Sequence, residues 1–535
     1  MKNIFFSLVF FVFMHFFGAT ASYAQPAILW QTTVGDSLIE NPNAICLASD
    51  GGFYFAGSTS PKLNDTCANV YDNADVWVVR FDKHKNFLWK MCYGGSLGDA
   101  AYGIAATLDG GCIIGADTYS NDGDVSGNHG DRDFWIFKLD SNGVIHWQKC
   151  YGGSSTEYLN GITATIDGGF LVFGLSYSSD GDVPFNYSPW YYNDGWVIKI
   201  DSQGAIQWNR VLGGTNFDQV IDGIETTKGK YLLSCNTSST DYDLENFTIG
   251  GSDVWLLMLD SNGNTIWSKT FYGPATETGA DLAQCANGDF LIACKTYSYL
   301  FETNSTGYHG GGDGLVFRVD SAGNFIWVKV LGGTSEDNFR PIHELPDGSI
   351  MVTGNTNSHD GDVSTPYANI NIWNVKLDAS GNLLSSLVVG GNDYDAIQSS
   401  ILYDQNNILF AAETESKDGD ILSHPGNAPN DDWDAWVVEI GDYNTVNEIH
   451  VPAFTLFAKP NPFTLETILR IEGAEQGKSY HAVLLNTLGV TCRRIMINSN
   501  SDYKLMREEL PGGIYFLKIF DSDNLQLKTI KLVIV

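Results

Sequence analysis

The chain is poor in positive charge, in long apolar runs and in helical periodicity. Its 535 residues include 30 Lys and Arg against 63 Asp and Glu, which gives a net charge of −33 at pH 7. A body this acidic repels nucleic acid and anionic lipid, so a nucleic-acid partner is not expected. After the first 24 residues, no window is long and apolar enough to span a membrane, and no segment keeps a helical apolar period over several turns. A membrane span and a helical core are therefore not predicted.

Glycine and aromatic residues are abundant. The chain has 57 Gly, 13% aromatic residues and only 17% charged residues. This mixture is typical of many short strands joined by tight turns, and it argues against disorder.

The nine cysteines form neither a Cys-x-x-Cys pair nor a recurring spacing. Because their number is odd, at least one thiol is unpaired unless it bridges two molecules. We expect most of them to be buried small hydrophobes, and no specific disulfide is predicted.

The first 24 residues resemble a signal peptide. Lys2 precedes an apolar run from Ile4 to Phe17, and Ser22 and Ala24 place small residues at a cleavage site after Ala24. The sequence therefore predicts transit through the periplasm.

A motif of Asp, any residue and Trp recurs about every 60 residues. Complete copies begin at Asp75, Asp133, Asp194, Asp253 and Asp434, with degenerate copies at Asp313 and Asn371. A second Trp follows at a fixed distance in five copies: Trp89, Trp147, Trp208, Trp267 and Trp327. Turns such as Asp140-Ser141-Asn142-Gly143 lie between the two Trp phases, and an Asn-Gly pair favours a hairpin turn in which both central residues take positive φ.

Each repeat is interpreted as four antiparallel strands. We predict an all-β fold over residues 25–442, a seven-bladed β-propeller with four-stranded blades. The seventh repeat stops after Ile440 without its fourth strand, whereas Ala27–Trp30 supplies a matching segment. We expect this N-terminal strand to close the last blade, which removes two open sheet edges. The recurring Trp side chains should pack between blades, and we expect a monomer.

The composition changes after Asp442, where a linker over 443–455 precedes a small β-sandwich over 456–535. This part contains Asn461-Pro462, a turn with Gly489, the strand Pro511-Gly512-Gly513-Ile514-Tyr515 and a basic-apolar end, Lys531–Val535. In this order the features resemble the type A C-terminal sorting domain of the type IX secretion system, over residues ~450–535. The resemblance implies a secreted or outer-surface protein whose partner is that secretion machinery. The preceding repeats look like uncharacterised exported propeller repeats, a resemblance that implies no chemistry.

Acidic residues recur in the loops of one predicted face. The loops between the second and third strands of a blade, and those joining consecutive blades, should lie together on this loop face. Candidate ligand-binding acids follow the Gly-Gly pairs: Asp99, Glu157, Asp218, Asp337 and Asp395. The fifth repeat departs, with Thr278 in phase and Glu277 one position earlier.

Asp-Gly-Asp triplets in the second set of loops suggest Ca²⁺, which prefers several oxygen ligands. The candidate metal ligands are Asp122, Asp124, Asp180, Asp182, Asp360, Asp362, Asp418 and Asp420. Asp and Gly also form ordinary turns in which the side chain accepts backbone N–H groups. Both interpretations remain open at this stage.

Four aromatic residues fall outside the main strand pattern, in loops of the same face: Trp190, Tyr191, Tyr192 and Trp433. Aromatic rings beside carboxylates suit sugars, because a sugar offers an apolar face for stacking and hydroxyls for hydrogen bonds. The alternative is that the longer loop packs its own aromatic side chains.

Catalytic motifs are scarce, and no catalytic residue is predicted. The sequence has no Gly-x-Ser-x-Gly elbow, no HExxH motif and no P-loop. Paired carboxylates for glycoside cleavage remain open. Three hypotheses follow: an exported module that binds a glycan or a protein, a propeller glycosidase or lyase acting on polysaccharide, and a structural or adhesive surface protein.

Overall fold

The computed structural model describes residues 26–35, 39–60, 74–187, 192–245, 251–302, 307–404, 406–422, 433–442, 455–472, 479–486, 491–498, 501–508, 510–520 and 526–535. The predicted signal peptide and most of the predicted linker lie outside these residues. The chain divides into two compact units, unit 1 over residues 1–444 and unit 2 over residues 445–535.

Unit 1 is all-β and repeats one four-stranded antiparallel sheet, as predicted. Its first described strand is β1 (Pro26–Val34). Sheet 1 contains β2 (Glu40–Leu47), β3 (Phe53–Thr59), β4 (Asp75–Phe81) and β5 (Phe87–Tyr93). Sheet 2 contains β6 (Asp99–Ala106), β7 (Cys112–Thr118), β8 (Asp133–Leu139) and β9 (Ile145–Tyr151). Sheet 3 contains β10 (Glu157–Ala164), β11 (Phe170–Ser176), β12 (Asp194–Ile200) and β13 (Ile206–Leu212).

The later sheets of unit 1 keep the same order. Sheet 4 contains β14 (Asp218–Glu225), β15 (Tyr231–Thr237), β16 (Asp253–Leu259) and β17 (Thr265–Phe271). Sheet 5 contains β18 (Glu277–Gln284), β19 (Phe290–Thr296), β20 (Asp313–Val319) and β21 (Phe325–Leu331). Sheet 6 contains β22 (Asp337–Glu344), β23 (Ile350–Thr356), β24 (Asn371–Leu377) and β25 (Leu383–Val389). Sheet 7 contains β26 (Asp395–Leu402), β27 (Ile408–Thr414), β28 (Asp434–Asp442) and β1.

The N-terminal strand completes sheet 7, as the repeat phases predict. β1 runs antiparallel to β28, and Thr33 pairs with Trp436 while Trp30 pairs with Glu439. The first strands of consecutive sheets contact one another in chain order, and β26 in turn contacts β2. A hydrophobic cluster fills the space between sheets 7 and 1, where Phe53 and Trp77 meet Leu409 and Val437. The series of sheet contacts in unit 1 is therefore closed.

The second and third strands of each sheet are buried along both faces, because a neighbouring sheet covers each side. The Trp of the third strand is fully buried in the six sheets that have one, and sheet 5 has Leu315 in its place. The Trp of the fourth strand is only half-buried, and sheet 6 has Ser385 in its place. The strand pattern places both sets correctly, but it does not distinguish their burial.

The hairpins between third and fourth strands differ from the predicted turn. Gly143 has φ +81°, but Asn142 does not take positive φ. Instead, the Asp140 carboxylate accepts hydrogen bonds from the backbone N–H groups of Asn142 and Val144, at 2.8 and 2.9 Å. The five-residue loop needs only one left-handed residue, because the Asp side chain satisfies the turn. The prediction of two positive φ values at Asn-Gly is therefore wrong.

Most described cysteines are free, and five of them are buried: Cys112, Cys150, Cys235, Cys285 and Cys294. Burial raises the pKa of their thiols, so they behave as small hydrophobes. Cys92 departs from the expectation because it is disulfide-bonded.

Unit 2 contains two antiparallel sheets. Sheet 8 is formed by β29 (Thr455–Lys459), β30 (Glu466–Glu472) and β33 (Asp502–Met506), and sheet 9 by β32 (Thr491–Asn498), β31 (Ser479–Asn486), β34 (Gly513–Phe520) and β35 (Gln526–Ile534). Leu469 and Leu505 of sheet 8 share one hydrophobic cluster with Tyr480, Leu484 and Leu517 of sheet 9.

Candidate binding site

The acids predicted to bind a ligand begin the first strands, where they hold the preceding loop. Asp99 is 2% exposed, and its Oδ2 accepts hydrogen bonds from the Gly95 N–H at 2.8 Å and the Ser120 hydroxyl at 2.9 Å, while Oδ1 accepts one from Thr118. Equivalent donors serve the other four: Glu157, Asp218, Asp337 and Asp395. Each of these carboxylates accepts hydrogen bonds from the protein's own donors, and direct ligand contact by the five residues stays a prediction.

The fifth repeat follows the same rule, contrary to the sequence interpretation. Glu277, rather than Thr278, begins β18 and accepts hydrogen bonds from the Gly273 N–H at 2.8 Å and Thr296 Oγ1 at 2.7 Å. Gly273 takes the place of the second Gly of the other repeats, and Tyr272 stands where they have the first. The acid therefore lies four residues after this Gly, as Asp395 does after Gly391, and the offset from the repeat disappears.

The Asp-Gly-Asp triplets form hydrogen bonds to the loops that join consecutive sheets. Oδ1 of Asp180 accepts the Ser154 N–H at 2.7 Å, and the Asp182 N–H donates to the Gly152 carbonyl at 2.8 Å. The first Asp of the other triplets makes the same contact to a loop N–H: Asp122 to Ser96, Asp360 to Thr334 and Asp418 to Asn392. The second Asp repeats the backbone bond at Asp124, Asp362 and Asp420.

These contacts agree with the turn interpretation of the triplets. Within the described parts of the chain, no three or more His, Cys, Asp and Glu side chains group as metal ligands would. Backbone N–H donors hold the pKa of Asp180 and Asp360 below its usual range, and the Asn392 side-chain amide followed by its backbone N–H does the same for Asp418. The three acids are therefore ionised anions of the turn. Ca²⁺ binding at the triplets stays a prediction.

The aromatic candidates are only partly within the described residues. Trp190 and Tyr191 lie outside them, and Tyr192 is exposed. Trp433 stacks on Tyr394 with ring centroids 5.3 Å apart and planes 18° apart, and its carbonyl accepts the Glu40 N–H at 2.7 Å. The structure therefore places Trp433 against its own protein at the start of sheet 1.

A different aromatic group, which sequence reasoning missed, is exposed beside sheets 2 and 3. We name Tyr102, Tyr119, Arg132 and Tyr158 the tyrosine cluster. The Arg132 guanidinium lies 4.3 Å from the Tyr158 ring centroid and 5.2 Å from that of Tyr119. Its Nη atoms lie 3.4 Å from the hydroxyls of Tyr119 and Tyr102, and it forms an ion pair of 2.5 Å with buried Asp117. The three rings are 37–41% exposed, so they present a fixed aromatic surface to solvent.

Tyr102 also lines a polar cavity of about 450 Å³, most of whose lining residues belong to the first strands. Every sheet of unit 1 contributes at least one polar side chain. We name one large polar residue from each sheet the collar: Asn43, Tyr102, Asn160, Asp222, Asp281, Arg340 and Gln398. Each lies at or next to an irregularity in the pairing of its first strand. A bulge re-aims a side chain out of the regular alternation, which explains why polar residues here face the cavity.

The collar residues are held by bonds between neighbouring sheets. The Asn43 amide donates to the Ala101 carbonyl at 2.8 Å, and the Asn160 amide to the Val220 carbonyl at 2.7 Å. Arg340 Nη1 donates to Gln398 Oε1 at 3.1 Å. These bonds fix the positions of the side chains before any ligand arrives, which lowers the entropic cost of binding.

Asp222 and Asp281 are adjacent acids in the collar. Burial, and then the neighbouring Asp281 charge, raise the pKa of Asp222, while the Leu282 and Gly223 N–H groups oppose the shift. Burial also raises the pKa of Asp281, and Arg340 opposes the rise. The cavity thus presents carboxyl groups that can accept or donate, beside a guanidinium donor.

The repeat explains why the collar escaped sequence analysis. Five collar residues lie three positions after the buried acid of their repeat, whereas Asp222 and Asp281 lie four positions after theirs, and the residue type varies among Asn, Tyr, Asp, Arg and Gln. The buried acids, by contrast, recur with the repeat. Residue types that recur in every repeat mark the positions that maintain the architecture, whereas the collar residues differ from repeat to repeat. The signal available was a polar residue of varying type, three or four positions after each buried acid.

No protein-family model matches the sequence, and no curated protein matches it. Solved structures with some likeness include a protein of unknown function from Dyadobacter fermentans DSM 18053, 11% identical, with a TM-score of 0.41 over 78% of this chain and 99% of that one. A thermostable family-43 glycoside hydrolase is 10% identical, with a TM-score of 0.29 over 54% and 91% of the two chains. PorZ, a surface component of the type IX secretion system of Porphyromonas gingivalis, is 10% identical, with a TM-score of 0.17 over 94% and 100%. Likeness at this level assigns neither a family nor an activity.

Among the described residues, no helix has both the length and the apolar character needed to cross a bilayer. The single helical element there is a 3-10 turn, Tyr242–Leu244.

Proposed function

We propose that unit 1 is a seven-bladed β-propeller that binds a hydroxyl-rich ligand, a glycan, on the tyrosine cluster and in the collar cavity. The observation that carries the proposal is the continuity of the two surfaces, because Tyr102 belongs to both. An exposed aromatic platform next to a polar cavity with both donors and acceptors matches the two faces of a sugar ring.

The charges of the site favour a neutral ligand over a charged one. Arg132 is paired with Asp117 and Arg340 lies beside Asp222 and Asp281, so each guanidinium is already compensated. An anionic ligand would also meet the acidic body of the chain. A glycan with unmodified hydroxyls avoids both penalties.

We expect a glycan array, read with and without Ca²⁺, to show binding by the full chain. Because stacking on a tyrosine and a buried hydrogen bond each contribute about 1 kcal/mol, Tyr158→Ala and Asp281→Asn should each weaken the Kd for the strongest array ligand roughly fivefold in calorimetry. Tyr299→Ala is the control, because Tyr299 is 70% exposed and lies outside the tyrosine cluster. Unchanged affinity in both site variants, or no binding on the array, would remove the proposal.

A second candidate function is hydrolysis or lysis of a polysaccharide, and one observation favours it. The raised pKa values of Asp222 and Asp281 suit one carboxyl that donates a proton and one that accepts it. Release of new sugar ends from a polysaccharide panel, lost in Asp281→Asn even at a substrate concentration that saturates the variant, would support an enzyme. Binding of a polysaccharide without its cleavage would support the binding module instead of the enzyme.

We propose that unit 2 directs type IX secretion of the chain, after cleavage of the signal peptide at Ala24. The supporting features are the ordered motifs that end in the Lys531–Val535 strand. In a host with this system, a reporter fused behind a signal peptide and ahead of residues 445–535 should reach the medium or the outer surface. The same reporter without residues 445–535 should remain in the periplasm. Retention of both versions in the periplasm would contradict the assignment.

A further inference from the structure

Two buried acids meet at most junctions between consecutive sheets of unit 1. The first begins the third strand of a sheet, and the second begins the first strand of the next sheet. Between sheets 5 and 6, Asp313 Oδ1 and Asp337 Oδ2 lie 2.6 and 2.8 Å from the position that a Gly332 Cβ would occupy. Between sheets 2 and 3, Asp133 and Glu157 lie against Gly152 in the same way. All four acids are 0% exposed.

The hydrogen bonds of the two acids are unequal. Glu157 accepts hydrogen bonds from the Gly153 N–H at 3.0 Å and the Ser176 hydroxyl at 2.7 Å, so its ionised form is satisfied. Asp133 Oδ2 accepts the His129 N–H at 2.8 Å and contacts His129 Nδ1 at 2.7 Å, but Asp133 Oδ1 has no partner. Oδ1 atoms of Asp75, Asp194 and Asp313 are also buried without a partner. A bare anionic oxygen in this position is costly, whereas a proton on it turns it into a donor toward the second acid.

Sheet 6 provides an internal comparison. Asn371 replaces Asp at the start of its third strand, is fully buried, and lies with Asp395 against Gly390. Asp395 keeps the bonds of the other second acids, to the Gly391 N–H at 2.7 Å and the Ser416 hydroxyl at 2.8 Å. An amide has the shape of a carboxyl group and no charge, so the fold accommodates a neutral side chain at this position.

We infer that the first acid of each such pair keeps a proton in the folded protein, and that loss of these protons at alkaline pH loosens the contacts between consecutive sheets of unit 1. A bound cation is the other means of compensating two buried acids. It is disfavoured because the described side chains form no group of three or more metal ligands, and Ca²⁺ takes six to eight oxygens.

Several charged or titratable groups surround the pair between sheets 2 and 3. They come from the adjoining loops and strands: His129, Arg132, Asp117, Cys150, Asp180 and Asp182. Arg132 is engaged by Asp117, and the remaining carboxylates favour retention of the proton. His129 is 43% exposed and opposes that effect when it is protonated.

The direction of the pH dependence follows from the raised pKa values. Burial, followed by nearby carboxylates, raises the pKa of Asp75 to about 7, and burial likewise raises the pKa of Asp194 to about 8. An acid whose pKa is higher in the folded state stabilises the fold below its unfolded pKa, near 4, and loses that contribution as pH rises through the folded value. The stability of unit 1 should therefore decrease between about pH 4 and pH 8.

The test compares the full chain with a variant carrying Asp75→Asn, Asp133→Asn and Asp194→Asn. In urea unfolding at pH 5, 7 and 9, the wild-type midpoint should fall steadily with pH. The midpoint of the variant should fall less over the same pH range. Each replacement removes one pH-dependent contribution to the unfolding equilibrium constant, on the order of tenfold or more. Asp180→Asn is the matched control, because this acid is exposed and its pKa is lowered rather than raised.

Infrared spectroscopy provides a second readout that does not depend on the variant's stability. The folded wild type at pH 6 should show protonated carboxyl absorption that disappears on alkaline titration. Absence of that absorption, or an equal pH dependence of wild type and triple variant, would overturn the inference. Stabilisation of the wild type by Ca²⁺ that the triple variant lacks would also overturn it, in favour of a cation.

Discussion

Removal of residues 26–34 should abolish the cooperative unfolding of unit 1. β1 pairs with β28 at eight positions, and each ladder hydrogen bond contributes about 1 kcal/mol net. Gln31 adds side-chain bonds, since its amide donates to the Asp420 carbonyl at 2.9 Å and its Oε1 accepts from Trp436 Nε1 at 3.0 Å. The summed loss is several kcal/mol, comparable with the whole stability of a typical domain. Urea unfolding followed by tryptophan fluorescence is the measurement.

Deletion would also leave the edge of β28 unpaired, which invites association between chains. We therefore expect the truncated protein to aggregate, and a synthetic peptide of residues 26–34 to restore a soluble, cooperative species. Leu29→Ser is the control within the same strand, because Leu29 is 43% exposed at the register shift between Ile28 and Trp30, and its replacement should change stability by about 0.5 kcal/mol or less. An unchanged unfolding midpoint after deletion would show that β1 does not close the series of sheets.

The closing strand was predictable because the number of strands in each repeat can be counted in the sequence. The seventh repeat lacks a fourth strand, and the N-terminal segment supplies an additional strand that precedes the first repeat. Both features can be recognised in the sequence from Ala27 to Ile440. The strand pairing follows from the need to satisfy backbone groups at an open edge, which no side chain can alter. Architecture of this kind depends on the repeat alone.

The roles of individual acids were less predictable. The residue type and repeat position of Asp99 are equally compatible with binding a ligand and with holding a loop, so the sequence does not distinguish the two roles. The decision depends on the hydroxyls of Thr118 and Ser120, which approach it from the adjacent strand and loop. Likewise, Arg340 faces the cavity because its strand is irregular there. The irregularity recurs in the first strands of unit 1, but the residue type at it varies from repeat to repeat. Side-chain direction and tertiary partners therefore separate the candidate site from its scaffold.

The sequence also does not distinguish the burial of the third-strand Trp residues from that of the fourth-strand Trp residues. The difference in burial leads to a quantitative prediction. Trp135 is 0% exposed, its ring centroid lies 4.2 Å from that of Phe137, and its Nε1 donates to Gln148 Oε1 at 3.0 Å. Trp147 is only partly buried and packs on the edge of the cluster between sheets 2 and 3. Trp135→Ala should lower the free energy of unfolding by about 3–5 kcal/mol, because it removes a large side chain and leaves a cavity.

Trp147→Ala is the matched comparison, since it deletes the same side chain in the same sheet. Its cost should be about 1 kcal/mol, because solvent already reaches the indole and the surrounding chain can relax into the space. Urea unfolding of both variants, with fluorescence from the remaining Trp residues, measures the difference directly. Equal losses would mean that the fourth strands are covered as fully as the third strands, which would contradict the position of β9 at the outer edge of its sheet.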